Sequence, residues 1–82
     1  MINKYDALVK SFLKIKTPAE MLEFLKGILT PKELTQLATR IEIVKMLKRG
    51  VVQQRISKKL GVGIATVTRG SRELKLGRFK KV

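Results

Sequence analysis

The sequence predicts an all-α fold of five short helices, and three observations carry that expectation. The stretch "TPAE" at Thr17–Glu20 returns as "TPKE" at Thr30–Glu33. Each reads as a capping box, with threonine as N-cap, proline at the first helical position and glutamate at the third. Apolar residues recur at three- and four-residue spacings, the signature of one helix face. Strand signals are nearly absent.

Taken in order, the first helix is expected from about Lys4 to Ile15, after Asn3 as N-cap. Its apolar residues Tyr5, Leu8, Val9, Phe12 and Leu13 fall on one face. The second opens at Pro18, carries Met21, Leu22, Phe24 and Leu25, and is expected to stop at Gly27. The third runs from Pro31 to about Arg49 and ends at Gly50. In it Leu34, Leu37, Ala38, Ile41, Ile43, Val44, Met46 and Leu47 wrap more than half the circumference. A helix so broadly apolar must be covered on several sides, and an 82-residue chain has little material to cover it. A homodimer with this helix near its centre is therefore expected. The last two helices are "VQQRISKKLG" and "IATVTRGSRELK", followed by the basic tail "LGRFKKV" with Gly77 as a stop. The expected organisation is one domain over 1–82: core and dimerisation helices over about 3–50, a helix-turn-helix over 51–76, and a tail over 77–82.

Charge divides the chain. Of 19 Lys/Arg and 6 Asp/Glu, twelve basic residues and the single acid Glu73 lie beyond residue 44. A basic half joined to a near-neutral one suits a polyanion-binding module on a packing module. No Cys and no His are present, which excludes disulfides and thiolate or imidazole metal sites and removes the usual nucleophile and general base. The acids are scattered and offer no paired-carboxylate signature, so no enzyme is expected and no metal site is assigned. Lys4, Asp6, Lys10 and Lys14 interrupt every apolar run near the N-terminus, so nothing there resembles a signal peptide, and a cytoplasmic protein is expected.

The stretch "LGVGIATVTRGSRELK" (Leu60–Lys75) holds three glycines in a helix-length segment. An interior Gly costs a helix roughly 1 kcal/mol against Ala. Two of the three are explained by a turn. A helix-turn-helix needs an apolar and then a small residue where the helices cross, which Ile56 and Ser57 supply. Leu60 then faces the core, Gly61 permits the turn, Val62 anchors it, and Val67 points inward from the second helix. Three positions after Val67 the pattern usually has another bulky apolar residue, and here it has Gly70. The missing side chain is expected to leave a notch that admits a ligand. On that reading Gly70→Val holds or raises stability while blocking the ligand.

"LTPKELTQLATRIEIVKMLKRG" followed by "LGVGIATVTRGSRELK" resembles the bacterial tryptophan repressor family over about Leu29–Lys75, and "GIATVTRGS" is nearly a signature of it. The resemblance implies an intertwined all-helical dimer that binds operator DNA when L-tryptophan, its corepressor, is bound. It implies that Arg40 and Arg69 sandwich the indole ring, that Gly70 lies beside the ring, and that backbone carbonyls at Gly27 and Leu29, next to Thr30, hold the ammonium. Guanidinium planes stack well on aromatic faces. Glu73 stands where familiar members have a small hydroxyl residue; it either pairs with the ammonium or fills the pocket by pairing with Arg69 or Arg40. The sequence ends where the family's final helix would begin, so the first two helices are expected to carry more of the dimer.

The DNA-facing set follows from the same geometry. Gly63, Ile64, Ala65 and Thr66 open the recognition helix toward the major groove. Thr68, Arg69 and Arg72 lie further along, with Gln54, Arg55, Lys58 and Lys59 on the preceding helix, better suited to phosphates. Two rival readings stay open: a relative that is constitutive or answers another ligand, and a small basic nucleoid or RNA-binding protein.

Overall fold

The computed structural model describes residues 3–82; residues 1 and 2 of the expected domain lie outside the described residues. Among the described residues five helices follow one another: α1 (Lys4–Lys14), α2 (Pro18–Ile28), α3 (Pro31–Lys48), α4 (Gln53–Leu60) and α5 (Ile64–Lys75). No strand occurs among the described residues. The helices fall into two compact units divided within α3, between Leu34 and Thr35.

In the first unit the helix starts are set by side chains that bond the free N–H groups of a first turn. Asn3 Oδ1 accepts from the Tyr5 N–H at 2.7 Å. Thr17 Oγ1 accepts from the Glu20 N–H at 3.1 Å, and Glu20 answers by accepting the threonine hydroxyl. At α3 the box closes fully: the Thr30 N–H donates to Glu33 Oε1 at 2.8 Å, and the Glu33 N–H donates to Thr30 Oγ1 at 3.1 Å. Donation to the carboxylate, from the Thr30 backbone N–H foremost and from the Thr30 side chain second, holds the Glu33 carboxyl below its ordinary value of 4.5.

Gly27 does not end α2. The helix runs on to Ile28, and the Leu29 N–H still bonds the Leu25 carbonyl at 2.9 Å. The chain leaves through Leu29 in an extended conformation (φ −117°, ψ 146°), so no left-handed residue is required there. Phe12 and Phe24 join α1 to α2 edge-to-face, with centroids 5.2 Å apart. No side chain of α1 or α2 is fully buried, and Tyr5, Val9 and Leu13 are more than half exposed.

The second unit holds the core. Ile43 and Met46 of α3 meet Ile56 of α4 and Val67 of α5, with Leu47, Val51, Leu60 and Val62 packed around them. Lys48, in the last turn of α3, donates to the backbone carbonyls of Phe79 and Val82 and so fastens the tail to that helix. Part of the apolar girth of α3 remains uncovered: Leu37 and Ile41 are about two-fifths exposed.

Candidate nucleic-acid interface

The turn between α4 and α5 is built by the six positions that its sequence pattern marks. Ile56 and Val67 are completely buried. Gly61 closes α4 at φ +66°, a left-handed conformation that a residue with a Cβ rarely adopts. The Val62 N–H then reaches back to the Ser57 carbonyl at 3.1 Å, and the Ser57 hydroxyl donates to the Val62 carbonyl. Serine is small enough for the crossing and also bonds the turn it permits. Leu60 and Val62 pack against the core from the two sides of the turn.

This frame leaves one set of side chains outside. Gln54, Arg55, Lys58 and Lys59 on α4, Gly63 in the turn, and Ile64, Ala65, Thr66, Thr68, Arg69 and Arg72 on α5 are all exposed. Gln54, Arg55 and Lys58 line a shallow groove with Val52. None of these basic residues is engaged in an ion pair among the described residues. Neither α4 nor α5 has a side-chain cap: Val52 and Gly63 stand where α1, α2 and α3 have Asn3, Thr17 and Thr30. The N–H groups of Gln53, Gln54, Ile64 and Ala65 therefore stay available to outside acceptors, while those of Arg55 and Thr66 bond the Val52 and Gly63 carbonyls at 3.1 Å. Such a surface can hold an oxyanion backbone while offering Ile64, Ala65 and Thr66 to base edges.

The residues assigned to the ligand divide between the units. Gly27, Leu29 and Thr30 belong to the first unit; Arg40, Arg69, Gly70 and Glu73 belong to the second. Arg40 and Arg69 are exposed. Arg40 lies one turn before Ile43 and two before Leu47, on one stripe of α3. Gly70 faces that stripe. A Cβ built on it would lie 3.2 Å from Ile43 Cγ2 and 3.7 Å from Leu47 Cδ1. The missing side chain thus brings α5 close against α3 rather than leaving an open notch, because Ile43 and Leu47 occupy the space a side chain would need. Glu73 pairs with Arg78, Nε to Oε2 at 3.3 Å, and with neither Arg69 nor Arg40. Sequence reasoning did not reach Arg78 as a partner, nor the hydrogen bond from the Thr68 hydroxyl to Gln53 Oε1 at 2.8 Å. The first has a faint signal, since an arginine just past a helix end often folds back onto it. The second has none.

These features define a small, basic, all-helical protein whose last two helices meet across a glycine turn and present cationic and hydroxyl side chains outward. Known proteins give the finer placement. The family model described as Trp repressor protein matches residues 3–80. A Trp operon repressor homolog of Vibrio vulnificus (strain YJ016) is 56% identical over 50 residues, covering 60% of this chain and 49% of that protein. One from Vibrio cholerae serotype O1 is 54% identical over 57 residues, covering 68% and 53%. One from Vibrio atlanticus is 46% identical over 69 residues, covering 83% and 67%. The chain spans about half the length of the first two relatives. No solved structure gives a significant match. The chain belongs to the Trp repressor family, and with it to regulators rather than enzymes.

Proposed function

We propose that the protein is a homodimeric, sequence-specific DNA-binding repressor that uses L-tryptophan as corepressor, with α4 and α5 acting as its helix-turn-helix. The observation that carries the DNA reading is the outward set on α4 and α5: free Arg and Lys side chains flank the exposed opening of α5, with no acid among them. Phosphate contacts from Arg55, Lys58, Lys59, Arg69 and Arg72 position the protein, and Ile64, Ala65 and Thr66 read bases directly or through water. Helix α5 carries no Asn or Gln, so part of the specificity comes from DNA shape.

The corepressor reading rests on Arg40 and Arg69, exposed and free of ion pairs, and on family membership. An indole stacked between their guanidinium planes bridges α3 and α5 and fixes the angle at which α5 leaves the core. The Glu73–Arg78 pair favours this over a self-filled pocket, because the carboxylate is satisfied without either arginine. Dimerisation is supported by the exposed apolar residues of α1, α2 and α3, among them Leu8, Leu22, Leu37 and Ile41.

Calorimetric titration with L-tryptophan, repeated in the presence of DNA, tests the whole scheme. Linkage requires that the factor by which tryptophan tightens DNA binding equal the factor by which DNA tightens tryptophan binding. Absence of tryptophan binding, with DNA binding intact, overturns the corepressor reading in favour of a constitutive relative. Duplex binding without sequence preference points to the nucleoid-type protein.

A further inference from the structure

Gln53 opens α4, and its amide is the acceptor of the Thr68 hydroxyl at 2.8 Å. Among the described residues this is the side-chain hydrogen bond that ties α4 directly to α5, across fifteen positions of sequence. It has two chemical consequences. Thr68 has a single hydroxyl proton, and that proton is directed at Gln53 rather than outward. Gln53, with Oε1 engaged, keeps Nε2 and its two N–H donors, for which no partner occurs among the described residues. A neutral amide is thus held through its oxygen with both N–H donors free at the entrance of α4, beside Gln54 and Arg55 on a helix that carries no acid. The partner such a group fits is an oxygen acceptor that the protein itself does not supply.

We infer that Gln53 is a phosphate-contacting residue of the DNA interface, and that Thr68 acts through it as a positioning residue rather than as a phosphate donor of its own. The inference rests on the DNA-binding reading. One duplex phosphate held by Gln53 Nε2 then bears on both helices together, because Thr68 fixes the amide orientation from α5. The contact is uncharged, so it adds affinity without releasing a counterion.

The test uses the full chain and a duplex that the wild-type protein recovers from a random-sequence library in the presence of L-tryptophan. Gln53→Ala is expected to weaken binding about tenfold, which about 1.4 kcal/mol represents, with an unchanged slope of log K against log salt. Thr68→Val weakens binding severalfold on its own and adds nothing in the Gln53→Ala background, while Thr68→Ser restores it. Gln53→Glu keeps the acceptor for Thr68 but removes both donors, and is expected to lose at least as much as Gln53→Ala with no loss of thermal stability. Wild-type affinity in Gln53→Ala overturns the inference. So does a Thr68→Val effect that persists in full without Gln53, since Thr68 would then contact DNA itself. Recovery of no duplex by the wild-type protein overturns the DNA-binding reading, and this contact with it.

Discussion

Replacing Gly70 by valine separates packing from ligand binding. The sequence pattern alone gives the substitution a favourable sign, because valine is a better helix former than glycine by roughly half a kcal/mol. The structure reverses that sign. Already the Cβ would lie 3.2 Å from Ile43 Cγ2, tighter than an ordinary contact, and Ile43 is 99% buried. Valine adds two methyl groups beyond that Cβ, and overpacking of this kind costs about 1–3 kcal/mol. The net destabilisation is then about 1–2 kcal/mol. In a domain of this size each kcal/mol shifts the melting temperature by about 4–8 °C, so a fall of roughly 5–15 °C is expected. Gly70→Ala gains about 1 kcal/mol of propensity and loses a comparable amount at Ile43, so its melting point should stay close to wild type. Ile43→Leu moves the offending methyl at little change in volume and should turn Gly70→Ala into a stabilising change. Thermal melts at one fixed protein concentration read all of this. A Gly70→Val protein that melts higher than wild type would refute the close α3–α5 packing.

Three further outcomes follow from the same structure. Lys58→Ala should weaken all duplexes alike and flatten a wild-type salt slope of roughly −5 to −7 by about one, whereas Thr66→Val should change preference among sequences. Light scattering at micromolar concentration should give twice the 9.3 kDa chain mass, and a single-chain mass would remove the case for a dimer. Glu33 has a folded-state carboxyl below 4.5, so its stabilising contribution is complete above that value and is lost as pH falls through the folded one. The stability gap between wild type and Glu33→Gln, followed by urea unfolding from about pH 6 to about pH 3, should therefore narrow on acidification. A constant gap would mean that the Thr30 bond does not depend on the charge of its acceptor.

The helix starts were legible because each is decided within four residues: Thr30, Pro31 and Glu33 carry the whole instruction for the opening of α3. The turn at Gly61 was legible for the same reason, since its six determinants sit within twelve residues. Gly27 misled because a glycine at a helix end looks the same in sequence whether or not its backbone turns left-handed. Here the capping box that follows draws the chain out extended, and the glycine stays helical. Gly70 was visible as a missing side chain, but the sequence does not say which neighbour moves into the space, and that neighbour is Ile43. The outward set on α4 and α5 could be read because helical spacing and the turn fix which positions face out. The Gln53–Thr68 and Lys48–Phe79 bonds could not, since they join residues fifteen and thirty-one positions apart with no periodicity to announce them.

Among the described residues the buried side chains are Ile43, Val44, Met46, Ile56 and Val67, and this confinement gives the chain an uneven resistance to opening. Amides in the last turns of α3 and beyond the first turns of α4 and α5 are sheltered by a closed core, so their exchange with deuterium requires opening of the whole second unit. Amides of α1 and α2 lie in helices that bury no side chain completely, and they open at much smaller free energy. Whatever surface covers Leu8, Val9, Leu13 and Leu22 supplies the protection those helices do not supply for themselves. Their exchange rates accordingly depend on protein concentration when a second copy is that cover, while the rates around Ile56 and Val67 respond far less.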